Sequence, residues 1–336
     1  MSIRVIKPGL LATVQDLGRY GYQRYGVIAS GAMDPFALQA ANALVGNRLS
    51  APALELTMPG VALRFETEQL VSIGGADVLP LIDGVPVPLW RPVLAGGGST
   101  LTIQSAQAGS RCCLAVAGGI DVPSVMGSYS TYLRAAIGGF SGRALRANDV
   151  LGAGSSGALN EKIRSSLAGE LAAHGSGFAA TDWHMTTAML PPYSRDPVIR
   201  VTAGAQREHF SEDSVAAFAA EPYRVTPQSD RMGYRLGGPS LRLKHIGELL
   251  SEAVTFGTVQ VPPDGQPIVL MADRQTTGGY AKIAQVITAD LPLVAQTPVG
   301  GTLRFRFVPL QEAQELGLLQ RLELEQLELG VKLRFR

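Results

Sequence analysis

The chain has 336 residues, with 29 Lys and Arg against 28 Asp and Glu and a formal net charge of +1, so no charge excess marks a nucleic-acid or membrane-surface binder. Hydrophobic residues make up 46% and charged residues 17%, which supports a large core, excludes wholesale disorder and, at this length, favours two domains. The 39 Gly and 21 Pro follow no G-X-Y period, so they read as turns, and many turns imply many short strands.

The N-terminal stretch MSIRVIKPGLLATVQDLG lacks the apolar core of a signal peptide, and no stretch is apolar for long enough to cross a bilayer. Adjacent Cys112 and Cys113 form no C-x-x-C pair, so zinc and thioredoxin chemistry are unsupported and a reduced, cytoplasmic setting is expected. Short β elements fill the first hundred residues, among them 54–66, broken at Pro59-Gly60, and 69–77. One helix interrupts them at 34–47. Asp34 is its N-cap, Pro35 sits at N1, and Phe36, Leu38, Ala41 and Leu44 give an apolar face. A second helix is expected at ALNEKIRSSLAGELAAHG, from 158. Beyond Pro309, leucines and alternating charges predict a surface helix docked on its own barrel or on a partner.

Landmarks recur at a nearly constant offset. Arg4-Val5 and Arg200-Val201 differ by 196 positions, Asp34 and Asp230 by 196, Glu55 and Glu252 by 197, Gly60 and Gly257 by 197, Asp77 and Asp273 by 196, and Thr100-Leu101 and Thr302-Leu303 by 202. This pattern predicts two copies of one β-rich unit, the first carrying a long insertion at about 108–195.

GAGSSG at 152–157 matches G-x-G-x-x-G, but the residues before it are short and polar, and it lies outside any βαβ series, so it reads as a flexible loop. Gly-Lys never occurs, which removes a P-loop. His174, His184, His209 and His245 show no metal-ligand spacing, and no metal is expected. The densest polar cluster follows the strand PIVLMA: Asp273, Arg274, Gln275, Thr276, Thr277, two glycines and Tyr280. There Arg274 can hold an anion in a fork, the threonines can donate or accept, and the glycines expose backbone N–H groups; a well-satisfied turn is the competing reading. A second cluster at 13–34 holds Gln15, Asp16, Arg19, Tyr22 and Tyr25. A third pairs Asp230 with Arg231. A fourth, Gly127 to Thr131 with Ser128, reads as an anion-binding nest or a polar loop.

VQDLGRYGYQRYGV…SGAMD, Gly75-Ala76-Asp77, GGIDVP…GSYST, SDRMGYRLGGP and SEAVTFGTVQVPPDGQPIVLMADRQTTGGYAKIA resemble the C-subunit family of prokaryotic ATP-dependent 5-oxoprolinases. That family is also called KipA-like or allophanate hydrolase subunit 2, and it resembles half of the carboxyltransferase domain of urea amidolyase. Asp230 stands where the family pattern carries Asn.

The resemblance implies a mainly β chain of two tandem cyclophilin-like β-barrels with a few helices. The implied domains are 1–192 with the insertion, 193–310, and a C-terminal helix and tail at 311–336. It implies a KipI-like B subunit and a large 5-oxoprolinase A subunit as partners, no nucleic acid and no membrane. It also implies ATP as cosubstrate of the complex, bound here or on a partner, for opening 5-oxo-L-proline to L-glutamate, with the isolated chain inactive. Arg274, Arg231 and Arg19 suit the donor role, and Asp273 and Asp34 suit a carboxylate that positions water. Gln275, Thr276, Thr277 and Ser128 join the substrate-binding set. Two alternatives are biotin-dependent carboxyl transfer, with carboxybiotin held by the same arginines and proton movement assisted by Lys282 or Tyr280, and a regulator that binds a KipI-like kinase inhibitor.

Overall fold

The computed structural model describes residues 2–57, 60–174, 177–244 and 249–336. His245, one of the four histidines, and Pro59 lie outside them.

The chain divides into two compact units that do not follow its order. The first comprises Met1–Arg19, Asp34–Pro191 and Leu322–Arg336; the second comprises Tyr20–Met33 and Pro192–Arg321. The segment Tyr20–Met33 thus clusters with residues far downstream.

The first unit contains strands β1 (Ser2–Pro8), β2 (Leu11–Gln15), β3 (Ala53–Thr57), β4 (Val61–Phe65), β5 (Gln69–Ile82), β6 (Val85–Pro86), β7 (Val93–Ala95), β8 (Thr100–Val116), β9 (Ile120–Asp121), β10 (Val150–Ala153) and β11 (Phe178–Ala180). They form one sheet whose main path runs β11-β7-β5-β8-β4-β1-β10-β9, with β2 paired to β3 and β3 to β8. Its spine is the antiparallel ribbon of β5 and β8, in register from Val71↔Val116 to Ile82↔Leu101 and bulged around Asp77 and Val78. Val5, Val14, Leu54, Leu63, Phe65, Ile73, Ile103 and Leu114 turn inward and exclude water.

Helix α1 (Pro35–Leu44) packs on β5 and β8. It starts where the sequence places it, because the Asp34 side chain accepts the Ala37 N–H at 2.9 Å and Pro35 has no N–H to satisfy. Helix α2 (Ala158–His174) meets it closely: a Cβ on Gly46, which has φ +79°, would lie 2.9 Å from Leu159 Cγ.

The second unit contains β12 (Val198–Ala203), α3 (Glu212–Ala220), β13 (Tyr223–Val225), β14 (Gly233–Gly237), β15 (Glu252–Ala253), β16 (Thr258–Val261), β17 (Ile268–Leu270), β18 (Thr277–Gly278), β19 (Ala281–Val286), α4 (Leu291–Gln296) and β20 (Thr302–Phe307). Seven of the strands close a barrel in the order β12-β19-β16-β17-β14-β13-β20, and β15 with β18 forms a separate ribbon. The barrel core includes Val201, Tyr223, Val259, Val269, Ile283 and Phe305, with the Phe218 ring of α3 stacked on Phe305 at 4.4 Å. Helix α5 (Leu310–Arg334) follows β20.

The chain is mainly β, with two barrel-type units and few helices, as expected. The landmark register of the repeat fails at the carboxylates, however. Asp34 caps a helix, whereas Asp230 accepts the N–H groups of Met232 and Gly233 in a turn before β14. Glu55 is buried mid-strand, whereas Glu252 is exposed in a two-residue strand. Asp77 is exposed within β5, whereas Asp273 is buried in the turn after β17. Gly60 and Gly257 match, each with a positive φ just before a strand, as do Arg4-Val5 in β1 with Arg200-Val201 in β12, and Thr100-Leu101 with Thr302-Leu303, which open β8 and β20. Turns and strand ends demand Gly and Asp in any β-rich chain, so such residues recur without marking equivalent places.

GAGSSG is a tight crossing rather than a flexible loop. Gly154 donates its N–H to Gly119 O at 2.9 Å, and a Cβ there would lie 2.4 Å from Gly118 O. The preceding strand, β10, pairs antiparallel with β1 and β9, which is not a dinucleotide-binding βαβ unit. Among the described residues, no helix is long and apolar enough to cross a membrane, and no cluster of three metal-ligating side chains occurs.

Candidate functional site

In the second unit, β17 is followed by buried Met271 and Ala272, and the chain turns at Asp273. The turn is fixed by backbone bonds from Met271 N–H to Met232 O, Asp273 N–H to Arg231 O and Arg274 N–H to Met271 O. The Asp273 carboxylate, 4% exposed, accepts Arg231 Nε at 2.9 Å on one oxygen. Its other oxygen accepts the second Arg231 donor at 3.1 Å and Ser30 Oγ at 2.5 Å. Arg231 also donates to Gly31 O at 2.6 Å. A buried charge pair is tolerable only with such saturation. Ser30 has φ +57°, a left-handed conformation that costs a serine on the order of 1 kcal/mol and is held by these bonds.

Arg274, the next residue, is held differently. It is partly buried, reaches Met271 O only at a long 3.4 Å, and lies over the Phe256 ring at 5.7 Å. Among the described residues no carboxylate pairs with it. Burial pulls its pKa below the usual arginine value, and nearby Tyr20 and Asp273 act in the opposite direction. A desolvated guanidinium without a carboxylate has its fork available for an incoming anion. Gln275 and Thr276 are partly buried beside it, and Thr277 and Tyr280 are exposed.

Lys282 lies on β19, 8% exposed, and its Nζ donates to Glu252 Oε2 at 2.9 Å. Gln206 Nε2 donates to the same oxygen at 3.2 Å. These two partners hold the exposed Glu252 carboxyl below its usual pKa of 4.5. Gln260, in register with Lys282, is a site residue that sequence reasoning missed. Its Oε1 is buried without a hydrogen bond among the described residues, 3.0 Å from where a Cβ on Gly278 would sit. The Gly278-Gly279 pair was its only signal in the sequence.

Other sequence-selected residues lie in the first unit. Ser128 is fully buried and donates to Asp16 Oδ1 at 2.7 Å. Ser130 Oγ and the Gly18 N–H reach the same oxygen, and the Tyr129 N–H reaches Oδ2 at 2.7 Å. The expected anion nest at 127–131 therefore holds the protein's own Asp16 carboxylate. Thr131 Oγ1 is committed to Val14 O. Arg19, fully buried, donates to Val125 O and Ser130 O. Asp34 caps α1.

Cys112 and Cys113 are free and buried. Burial, then the Asp34 charge, pushes the Cys112 thiol up to about 12, and burial first and then Glu55 raise Cys113, so neither is a thiolate nucleophile near neutral pH. The first unit also carries an open cleft of about 490 Å³ lined by Asn47, Arg48, Ser50, Tyr129, Ser155 and Asn160. Its asparagines are spent within the protein: Asn47 bridges Asn42, Val116 O and the Gly118 N–H, and Asn160 bridges Val45 O and the Gly157 N–H.

A family model described as carboxyltransferase domain, subdomain A and B, matches residues 25–307. The chain is 39% identical over 316 residues to the 5-oxoprolinase C subunit of Haemophilus influenzae, covering 94% of each protein. It is 41% identical over 327 residues to the Escherichia coli protein of the same name, covering 97% of each. The crystal structure of Kluyveromyces lactis urea carboxylase is similar with a TM-score of 0.86 and 28% identity, over 98% of this chain and 29% of that one. The urea amidolyase structure from K. lactis gives 0.85 and 29%, and this chain spans about 20% of its length. With the matched region running through both barrels, the chain belongs to the carboxyltransferase-domain family of joined subdomains A and B.

Proposed function

We propose that this chain is the C subunit of an ATP-dependent 5-oxoprolinase complex, which opens the lactam of 5-oxo-L-proline to L-glutamate. The two bacterial relatives, near 40% identity over almost their whole length, support that reading. The observation that carries it to particular residues is the partly buried Arg274 guanidinium, which has no carboxylate partner among the described residues.

In this reading Arg274 binds the substrate carboxylate, and two parallel N–H···O bonds fix the ring's orientation. Asp273 is a positioning residue. Its oxygens already accept three hydrogen bonds, so its task is to hold Arg231 and the Ser30 backbone that frame the turn. Gln275, Thr276 and Thr277 supply further polar contacts, and exposed Tyr280 supplies a hydroxyl. Lys282 is tied to Glu252 and shapes the ribbon of β15 and β18. Arg19, Asp34 and Ser128 hold the first unit together. A lactam resists water because its amide is resonance-stabilised, and ATP supplies the free energy for its opening. With no Gly-Lys in the sequence, we assign ATP to one of the partners, a KipI-like B subunit and a large A subunit. The chain alone is then inactive, and the complex works in the cytoplasm.

A second reading, biotin-dependent carboxyl transfer, is favoured by the family model and the K. lactis likeness. Arg274 would hold the carboxylate of carboxybiotin in the same fork.

The test is co-expression with the neighbouring subunits and an assay of glutamate release from 5-oxo-L-proline with ATP. Release that needs both ATP and this chain supports the proposal. Carboxylation dependent on biotin and bicarbonate, without glutamate release, overturns it in favour of the second reading. Tight binding of a KipI-like protein without turnover makes the chain a regulator.

A further inference from the structure

Helix α5 turns one face to the protein and a patterned one to solvent. Leu324 and Val331, seven residues apart, are buried at 5% and 3% exposure. On the opposite side Leu319, Leu322, Gln326, Leu329 and Leu333 follow one another at spacings of three, four, three and four. The four leucines are 41–55% exposed, and Leu318 beside them is 53% exposed. That spacing is the a/d seam of a coiled coil, with the buried pair at f, the position farthest from the seam. The last turns are fastened to the first unit, because Lys162 Nζ donates to Phe335 O, Arg334 reaches Asp182, and Phe335 packs on Trp183 at 6.1 Å. The seam is therefore held facing outward, and an exposed leucine row of this kind marks an interaction surface.

We propose that this seam pairs antiparallel with the same helix of a second copy of this chain. The charge pattern selects both partner and direction. Glu323, Glu325 and Glu328 occupy the middle of the helix, while Lys332 and Arg334 occupy its end and Arg336 follows it. Antiparallel pairing sets the basic end of each helix beside the acidic middle of the other. In the register that places Leu322 on Leu333 of the second copy, Gln326 meets Leu329 and the flanking g positions bring Glu325 to Lys332, twice by symmetry. A parallel pairing would set Glu325 against Gly330 and forfeit both ion pairs. Shifting the antiparallel register by one heptad would oppose Glu325 to Glu325. Lys332 already turns within its own helix to Glu328 at 2.7 Å, on the flank where the second copy's Glu325 would arrive. The pairing concerns a surface away from Arg274 on the sequence and stands whether or not the lactam reading holds.

Sedimentation equilibrium of the full-length chain alone tests this. The proposal expects a concentration-dependent rise in mass from 35.4 kDa towards twice that value. The double variant Leu322→Glu, Leu329→Glu, shown by circular dichroism to melt like the parent, should stay monomeric. Glu325→Lys and Lys332→Glu should each associate at least tenfold more weakly than the parent, and an equimolar mixture of the two should recover association, because only the mixed pair restores opposite charges at both flanks. A parent that stays monomeric throughout the concentration range overturns the proposal. So does a dimer that the leucine variant leaves intact, a mixture that associates no better than its components, or a seam that binds only a different protein or lipid vesicles.

Discussion

Each unit places a buried aspartate shortly after one strand, and the two aspartates are held by different chemistry. Asp16, after β2, is surrounded by neutral donors: two serine hydroxyls and two backbone amides. Asp273, after β17, is gripped by a guanidinium and one hydroxyl. Neutral donors come from backbone already folded around the carboxylate, so the Asp16 arrangement closes on itself. A charged partner arrives on a long side chain from another loop and needs a carboxylate fixed in position. The following residues differ accordingly. Arg19 is fully buried and donates to backbone carbonyls, whereas Arg274 is partly buried over an aromatic ring with no carboxylate partner among the described residues. One arrangement is structural, and the other leaves beside it the guanidinium that we propose as an anion site.

The most severe way to break the comparison is Arg231→Ala. It strands a buried carboxylate and should destabilise the second unit by about 3–5 kcal/mol in denaturant unfolding. Asp16→Asn should cost less, about 1–3 kcal/mol, because one oxygen that accepts N–H and O–H donors becomes a donor itself. A loss as large as that of Arg231→Ala would show the neutral arrangement to be as demanding as the charged one. Ser30→Ala removes a single hydrogen bond to a charged group and should cost about 1.5–3 kcal/mol or less, with the left-handed backbone retained in a crystal structure.

The smallest effect is electrostatic. The Glu252 pKa is lowered in the folded state, so its pairing with Lys282 stabilises the fold above the unfolded pKa of 4.5 and is lost as pH falls through the lower folded value. Lys282→Met should return the Glu252 carboxyl towards its ordinary titration, followed by NMR, and leave stability between pH 6 and 8 almost unchanged because the carboxylate is exposed. An unmoved titration would shift the cause to Gln206.

Much of this was legible in the residues. Asp34 and Pro35 announced α1, and polar density after an apolar strand located the turn at 273–280. Partnerships were not legible. Arg231 and Asp273 are 42 residues apart and Ser30 and Asp273 are 243 apart, and nothing local in the segment 20–33 says that it clusters with the second unit. The anion nest was recognised by type but not by occupant, because a buried carboxylate supplied by the chain itself satisfies the same hydroxyls as a ligand. The carboxylate landmarks of the repeat misled because turn chemistry repeats wherever strands end. GAGSSG misled because close backbone crossings select glycine as strongly as phosphate loops do.

Arg274 is assigned here to the substrate's anion rather than to its own loop. The decisive measurement is the specificity constant of the assembled complex carrying Arg274→Ala, set beside the melting temperature of the same variant. Losing one charge-assisted pair of about 2–5 kcal/mol predicts a fall in kcat/KM of roughly 30-fold to several thousand-fold, with melting and assembly unchanged and Arg274→Lys also badly impaired. A variant that melts, assembles and turns over like the parent would contradict that assignment.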